Sequence, residues 1–543
     1  MAEPHGRAPD LDWARWGRPE RREHLSAALV ELLQQALGLR GPAPAVVEAA
    51  DVQVPASRLT PPAHHDLAAV VGAVHVKDDP AARLSRAAGR STADLLGMRA
   101  GTLDGVPDAV VLPGSHDEVQ RLLTVCTAHR IAVVPFGGGT SVVGGVAARA
   151  GEHAAVVALD VRRLGALVSL DRESGLATLQ TGLRAPEAEA LLGVEGFTLG
   201  HFPQSYEYAS LGGFAATRSA GQASSGYGRF DEMVVALRVA TPAGSLRVGR
   251  VVASAAGPDL RQLFLGSEGA LGVITELTLR VRPEPEVVVD EAWAFADFAA
   301  GVAALRKLAV AGEPVTVTRL SDEAETWVNS QLAPASPGAP AAAHGAEGCR
   351  AVIAHEGPAD LVEARGRLVA ALLQRAGGRR LAQPRAGEWR AVRFRAPYLR
   401  DALLDAGVFV ETLETAGSWS QLARLRDGVT TAVVGALTTA GRPPVIMCHV
   451  SHVYRTGASL YFTVVCRIGP RPREAWAAAK RAAGDAIIAA GGTITHHHGV
   501  GTEHLPWMAA EVGPLGLDVL RAVKTTLDPA GILNPGKLIP PLD

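Results

Sequence analysis

Apolar residues recur at helical spacing from Glu23 to Leu39 and stop at Gly41-Pro42, and Gly89 to Gly101 reads as a second short helix. Residues 1–102 are therefore predicted to form a helical extension wrapped on the rest. From about Val106 the pattern shortens to a β-α-β unit: a strand in VPDAVVLPGS, the amphipathic helix HDEVQRLLTVCTAHR and the buried strand IAVVPF. Further strands in VVALDV, ATLQTG, VVALRVATPAG, SLRVG and VITELTLRVRP make 103–286 a strand-rich unit. Past Pro283-Glu284-Pro285, longer helices such as FADFAAGVAALRKLAVAG, PADLVEARGRLVAALLQRAG and AWAAAKRAAGDAIIAAGG separate isolated strands, which defines a second unit at 287–504. Residues 505–543 read as a helix and a Pro/Gly-punctuated segment that returns to the first unit. VIMCHVSHVY and ASLYFTVVCR are predicted to pair through a hairpin at Arg455-Thr456-Gly457, whose simplest register sets Tyr461 opposite His452. The Pro, Ala and Gly run from Gln331 to Gly348 reads as a loop.

At 543 residues the chain exceeds what one core serves, which agrees with two or more units and leaves room for a cofactor. Lys and Arg number 53 against 55 Asp and Glu, so no global basic field points to nucleic acid. Four cysteines (Cys126, Cys349, Cys448, Cys466) stand without a CxxC pair or zinc spacing, as expected of a reducing compartment. No secretory core opens the sequence and no 18 apolar residues run uninterrupted. A cytoplasmic, soluble protein is expected, with peripheral contact to a membrane left open.

Three glycine-rich clusters carry the candidate chemistry. IAVVPF runs into Gly137-Gly138-Gly139-Thr140-Ser141, where successive N–H groups can converge on pyrophosphate oxygens; the GK[ST] ending of a Walker loop is missing, and alone the triplet would equally suit a tight turn. HFPQSYEYASLGGFAATRSAGQASSGYGRFDEMV offers small and hydroxyl residues with few long aliphatic ones, a composition that lets a flat ring approach the backbone or simply forms a surface loop. GSEGALGVIT repeats the theme, and three clusters in one unit favour a dinucleotide.

His496, His497 and His498 follow the strand-like TI. In an extended strand His496 and His498 would share one face and His497 the other, so the run alone cannot supply a three-histidine metal site; polar or acid/base work beside a cofactor is the preferred reading. Tyr461 on its own is an ordinary core aromatic, able to exchange a proton if a nearby cation or donor draws its pKa down. Arg319 and Arg400 are by themselves ordinary ion-pair arginines.

Together, PFGGGTSVVGG, PQSYEYASLGG, TRSAG, YGRFDEMV, GSEGALGVIT, HVYRTGASLYF and HHHGVG resemble the alkyldihydroxyacetonephosphate synthases, a family of the vanillyl-alcohol-oxidase superfamily of FAD proteins. The likeness spans nearly the full chain, from WARWG at Trp13 to NPGKL near the end. The glycine clusters belong to the whole superfamily. HHHGVG, HVYRTGASLYF and the arginine positions narrow it, since many hydroxy-acid dehydrogenases of this fold carry a GEHG-like segment with Glu where this chain has His497. The resemblance implies an α+β fold: a two-subdomain PCMH-type FAD-binding domain and a larger α/β cap domain over the substrate. It implies FAD bound by Pro135, Phe136, Gly137, Gly138, Gly139, Thr140 and Ser141; by Gln204, Ser205, Tyr206, Glu207, Tyr208, Ala209 and Ser210; by Thr217, Arg218, Ser219 and Ala220; and by Ser267, Glu268, Gly269, Ala270, Leu271, Gly272, Val273 and Ile274. PFGGGTS holds no histidine of the kind that anchors FAD in covalent relatives, so the cofactor is expected to be noncovalent. Tyr461 would be the general acid/base, His496, His497 and His498 the essential run, and Arg319 a residue needed at the flavin. Arg400 would be the substrate phosphate ligand, with His201 beside substrate and flavin, and no metal is implied.

The implied reaction exchanges the acyl chain of an acyl-dihydroxyacetone phosphate for a long-chain fatty alcohol. It is redox-neutral: a proton leaves the ester-bearing carbon, that carbon bonds transiently to flavin N5, the carboxylate departs and the alcohol adds. Three features depart from the family. No peroxisomal address is present, the 331–348 run replaces a more apolar segment, and Ser459 stands where a cysteine is usual. The competing readings are an FAD-dependent 2-hydroxy-acid or alcohol dehydrogenase or oxidase on the same fold, and a non-catalytic lipid or flavin binder. The expected partners are a lipid phosphate and a fatty alcohol; a homodimer is compatible with the resemblance.

Overall fold

The run IAVVPF, apolar at nearly every position, forms the strand Ile131–Phe136 inside a small sheet covered on both faces, which is why its sequence does not alternate. A computed structural model describes residues 10–39, 45–312, 315–332, 348–382, 389–439 and 441–541 of the chain. In this first sheet the order is Val76–Lys77, Ala109–Val111, Ala155–Asp160, Ile131–Phe136, the last three strands parallel. Helix His116–Ala128 starts where the Ser115 hydroxyl accepts the Glu118 N–H, and it buries Val119, Leu122, Leu123 and Cys126 against the sheet. The edge strand Val76–Lys77 comes from the N-terminal extension, which the sequence reading made wholly helical; two residues are too short for a period to show.

A second sheet of five antiparallel strands, ordered Leu167–Asp171, Leu176–Gln180, Val273–Arg280, Val234–Thr241, Gly244–Val248, completes the strand-rich half. The segment from His201 to Val234, read from its composition as a wall for a flat ring or a surface loop, also sends Leu211, Phe214, Ala215 and Phe230 into the core of this sheet. Its small residues lie on the opposite side of helix Leu211–Thr217.

The second half is a seven-stranded antiparallel sheet, in order Arg379–Arg380, Val287–Phe295, Cys349–Gly357, Val317–Ser321, Val445–Tyr454, Gly457–Arg467, Val408–Ser418. Helices Phe298–Ala311, Ala359–Arg375, Leu422–Leu437 and Pro472–Ala489 cover one face. Period-two alternation assigns the faces. Ala458, Leu460, Phe462 and Val464 pack under the helices, while Tyr461, Thr463 and Val465 line a cavity on the other side.

The segment from Asp10 to Trp16 ties the halves together, while the C-terminal segment returns to the first half. Asp10 accepts from Arg86, Arg162 and Arg184 of the first half, and the Trp16 N–H donates to Asp401 of the second. At the other end, Val133 donates to the Ile532 carbonyl at 2.8 Å, and the Asn534 amide spans the carbonyls of Gly145 (3.0 Å) and Glu268 (2.6 Å). The loop predicted at 331–348 lies almost wholly outside the described residues. Among the described residues, no helix is long and apolar enough to cross a membrane.

Gly501 has φ +54°, and a Cβ there would overlap the Val143 carbonyl oxygen. Gly501→Ala is expected to cost about 2 kcal/mol or more, from the left-handed strain and the overlap. Gly435→Ala, in the open on helix Leu422–Leu437, is expected to stabilise by about 0.5–1 kcal/mol through helix propensity. Urea unfolding of both variants checks the contrast.

Candidate active site

The three glycine clusters meet because their backbones pack directly on one another. A Cβ at Gly137 would overlap the Ser210 hydroxyl, and one at Gly138 the Tyr208 carbonyl. Gly139 has φ +69° and lies under the Phe136 ring. The clusters form one wall of a cavity of about 610 Å³, and the seven-stranded sheet forms the facing wall. Gln204, Gln222, Ser451 and His452 line it with buried polar atoms that have no partner among the described residues. Such groups call for a polar occupant. A bare backbone cradle for phosphates beside amide and hydroxyl groups free to meet a flat heteroaromatic ring fits FAD.

Of the expected cofactor residues, Pro135 to Ser141, Gln204, Ser205, Ala209, Ser210, Thr217, Ser219, Ala220, Glu268, Gly269, Gly272, Val273 and Ile274 line this cavity. Tyr206, Glu207, Tyr208, Arg218, Ser267, Ala270 and Leu271 do not. Tyr206 stacks on Phe394, Glu207 accepts from Arg21 and Tyr398, and Tyr208 packs with Trp16 and Tyr398. Arg218, at φ +51°, holds the Leu265 carbonyl at 2.9 Å. Ala270 and Leu271 are core residues. His201, expected beside the substrate, is buried between Phe214 and Phe230 behind the wall, with its ring 3.0 Å from the Ser219 hydroxyl. A motif fixes sequence position but not side-chain direction, and in a turn-rich segment the two separate.

On the sheet wall Tyr461 pairs with His449 on one side and Glu414 on the other, instead of with His452. The hairpin closes at Tyr454 and Gly457, and a bulge between Val450 and Val453 moves the register by one residue. Ser459 pins the bulge, its hydroxyl accepting the His452 N–H at 3.1 Å. Tyr461 stacks on His449, with ring centroids 4.9 Å apart, and meets the edge of His498 at 5.6 Å. Burial first, and Glu411 and Glu414 after it, push its hydroxyl up to about 12 although Thr412 and Arg319 oppose them. The draw-down considered from the sequence is outweighed.

The histidine run is not extended. Its backbone bends, and Glu414 lies beneath the bend: its carboxylate accepts the N–H groups of His496 (2.6 Å), His497 (3.1 Å) and His498 (3.0 Å) and the Thr495 hydroxyl (2.7 Å). Burial favours a neutral Glu414, but the imidazoles of His497, His498 and His496 and the Thr495 hydroxyl hold it well below the usual carboxylate range. The same burial lowers all three imidazoles, His496 and His498 to about 3. His497 and His498 line the cavity; His496 turns aside, 2.6 Å from the Tyr454 hydroxyl, with its Nδ1 2.9 Å from His497 Nδ1. His452, His496 and His497 bring nitrogens within 4.8 Å of one another, a grouping the run alone could not make. Glu268, buried at φ +49° and raised to about 7 by that burial, accepts the N–H groups of Val500 and Gly501 at 2.9 Å. One end of the segment is thus held from the cap sheet and the other from the flavin half.

Arg319 lies 3.0 Å from both ring nitrogens of His449 and 2.7 Å from Glu325. Arg400 faces the cavity from helix Ala396–Asp405 while donating to the Arg90 carbonyl at 2.7 Å. Beside it Leu399, Leu403 and Val410 continue into Leu29, Leu33 and Leu37 of helix Ala27–Leu37, an apolar arm of the cavity. His449, Glu414 and Glu325 went unread in the sequence. Acidic residues inside the otherwise apolar VFVETLETAG and a histidine inside VIMCHVSHVY were the available signals for Glu414 and His449; Glu325, in helix Glu323–Leu332, had none.

Residues 107–249 match the family model described as an FAD binding domain, and residues 284–538 the one described as the C-terminal domain of FAD linked oxidases. The chain is 34% identical to an alkyldihydroxyacetonephosphate synthase of Dictyostelium discoideum, over 86% of this chain and 78% of that one. It is 32% identical to that of Trypanosoma brucei brucei, over 88% and 80%. A solved alkyldihydroxyacetonephosphate synthase structure superposes with a TM-score of 0.83 at 28% identity, covering 98% of this chain and 100% of the other. p-Cresol methylhydroxylase, at 17% identity and a TM-score of 0.69 over 88% and 96%, shares the fold. With a PCMH-type two-domain architecture and FAD as its cofactor, the chain belongs to the alkyldihydroxyacetonephosphate synthase family.

Proposed function

We propose that this enzyme exchanges the acyl chain of an acyl-dihydroxyacetone phosphate for a fatty alcohol, forming an ether bond without net oxidation. The observation that carries the reading is one cavity in which the glycine cradle, Tyr461 with His497 and His498, Arg400 and an apolar arm share a space. The glycine cradle from Pro135 to Ser141 with Ser205 and Ser210 would hold FAD noncovalently, and the flavin would supply an electron sink for loss of a proton from the ester-bearing carbon. Tyr461 would take that proton and return one, a role supported by its stacking on an imidazole that Arg319 and Glu325 hold still. His497 and His498, neutral at physiological pH, offer hydrogen bonds to the departing carboxylate and the arriving alcohol. Arg400 provides the planar cation for the phosphate, and Leu399 and Leu403 on the same helix start the path of the alkyl chain. The apolar residues of helix Ala27–Leu37 along the cavity, with Leu32 exposed among them, support an enzyme that meets its lipid substrates at a membrane surface.

An anaerobic absorbance titration tests the reading. The flavin is expected to bleach with palmitoyl dihydroxyacetone phosphate and to recover when a fatty alcohol is added; bleaching by D-lactate or another hydroxy acid with no response to the ester would make this a dehydrogenase. Tyr461→Phe is expected to lower turnover about 100-fold or more at unchanged flavin content, and near-normal turnover would remove Tyr461 from the chemistry. Because the Tyr461 hydroxyl is protonated up to about 12, its basic form grows as pH rises. The wild-type rate is therefore expected to climb from pH 7 to 9.5, and the climb to vanish in Tyr461→Phe. Arg400→Ala is expected to raise KM for the phosphate ester by about 10- to 100-fold, the worth of a charged hydrogen-bond pair; an unchanged KM would reject the phosphate role.

A further inference from the structure

Glu414 stands among the reacting groups without lining the cavity they share. It projects on the same face of strand Val408–Ser418 as Val410 and Thr412, which do line it, and it sits directly across the ladder from Tyr461. The bent histidine segment lies over it. Both oxygens are occupied: Oε1 accepts from the Thr495 hydroxyl and the His497 and His498 N–H groups, Oε2 from the His496 N–H. All four partners are donors, and an ionised carboxylate is the one side chain that presents acceptors alone on two adjacent atoms. A bend of this kind leaves successive N–H groups facing the interior, where each would otherwise lose its water for nothing.

We propose that Glu414 is the positioning residue of the site: it gathers residues 495–498 onto one carboxylate and thereby fixes the reach of His497 and His498 toward Tyr461. It acts through these residues and not on the substrate. The ladder makes the arrangement self-consistent, because the strand pairing that places Glu414 also places Tyr461. Catalytic groups and their support are thus referenced to the same pair of strands, and the separation of Tyr461 from the histidines is set by hydrogen bonds to one side chain.

The kinetic arm of the test rests on the exchange reaction proposed above; a second arm does not. Glu414→Gln keeps one acceptor where Oε1 sits and turns an NH₂ toward the His496 N–H, whereas Glu414→Ala removes every acceptor. Turnover of the flavin-loaded enzyme is expected to fall about tenfold in the Gln variant and about 100-fold in the Ala variant, as small misplacements do. KM for the phosphate ester should stay within about threefold and flavin content should hold, because Arg400 and the glycine cradle are untouched. Independently, hydrogen–deuterium exchange in a peptide spanning 495–498 is expected to quicken about tenfold in Glu414→Ala. Wild-type turnover in both variants with unchanged exchange would overturn the proposal. So would a loss of flavin in step with turnover, the mark of a merely structural residue. Should Glu414→Ala not fold, Glu414→Gln decides alone. Should the wild type transfer no alkyl group at all, the exchange reading fails and the deuterium result still decides the role of Glu414.

Discussion

Backbone laid directly on backbone is the constraint from which this site is built. At Gly137, Gly138 and Gly501 the neighbouring chain occupies the place of a side chain, and the facing groups are Ser210, the Tyr208 carbonyl and the Val143 carbonyl. A single methyl group at Gly138 or Gly501 would meet a backbone carbonyl and push segments apart by more than a close-packed interior absorbs. The same contacts line the wall with main chain in place of side chains, and main-chain N–H groups are what phosphate oxygens need. Packing and cofactor chemistry therefore make one demand on the sequence, and glycine is its answer.

From that wall the rest follows by attachment. Glu268 projects from the glycine-rich turn that precedes strand Val273–Arg280 and holds Val500 and Gly501; Glu414 projects from the facing sheet and holds Thr495 to His498. Two buried carboxylates from the two halves of the protein thus share one short loop. Their electrostatic states differ for a plain reason. Glu414 is surrounded by imidazoles and four donors and stays low, whereas Glu268 has two N–H groups and a more distant Lys537 and is left raised by its burial. Asn534 grips the Glu268 carbonyl from the chain terminus, so the C-terminal segment also braces the site.

The apolar arm is a different kind of structure, defined by side-chain packing. Leu29, Leu33 and Leu37 recur at helical spacing on Ala27–Leu37 and meet Leu399 and Leu403 of the helix that carries Arg400. A charged head and an aliphatic chain would find their surroundings within one helix and its neighbour.

The sequence by itself determined what depends on local order. The β-α-β start, the change of rhythm after Pro285, the hairpin strands and the glycine clusters all appear in it, because period, turn residues and small-residue composition are properties of neighbours along the chain. The same is true of the family, whose motifs stand in order from Trp13 to the terminal NPGKL. Only the tertiary structure decided which residues meet. The bulge at Ser451-His452 gave Tyr461 to His449, the bend at His496 set that residue apart from His497 and His498, and burial sent His201 behind the wall. Register, side-chain direction and burial depend on which partners folding brings together, as Glu414 meets the N–H of His496 from the facing strand. Glu411 and Glu414 in VFVETLETAG read alike as acids in an apolar strand, and only the fold gives Glu414 the histidine run to hold.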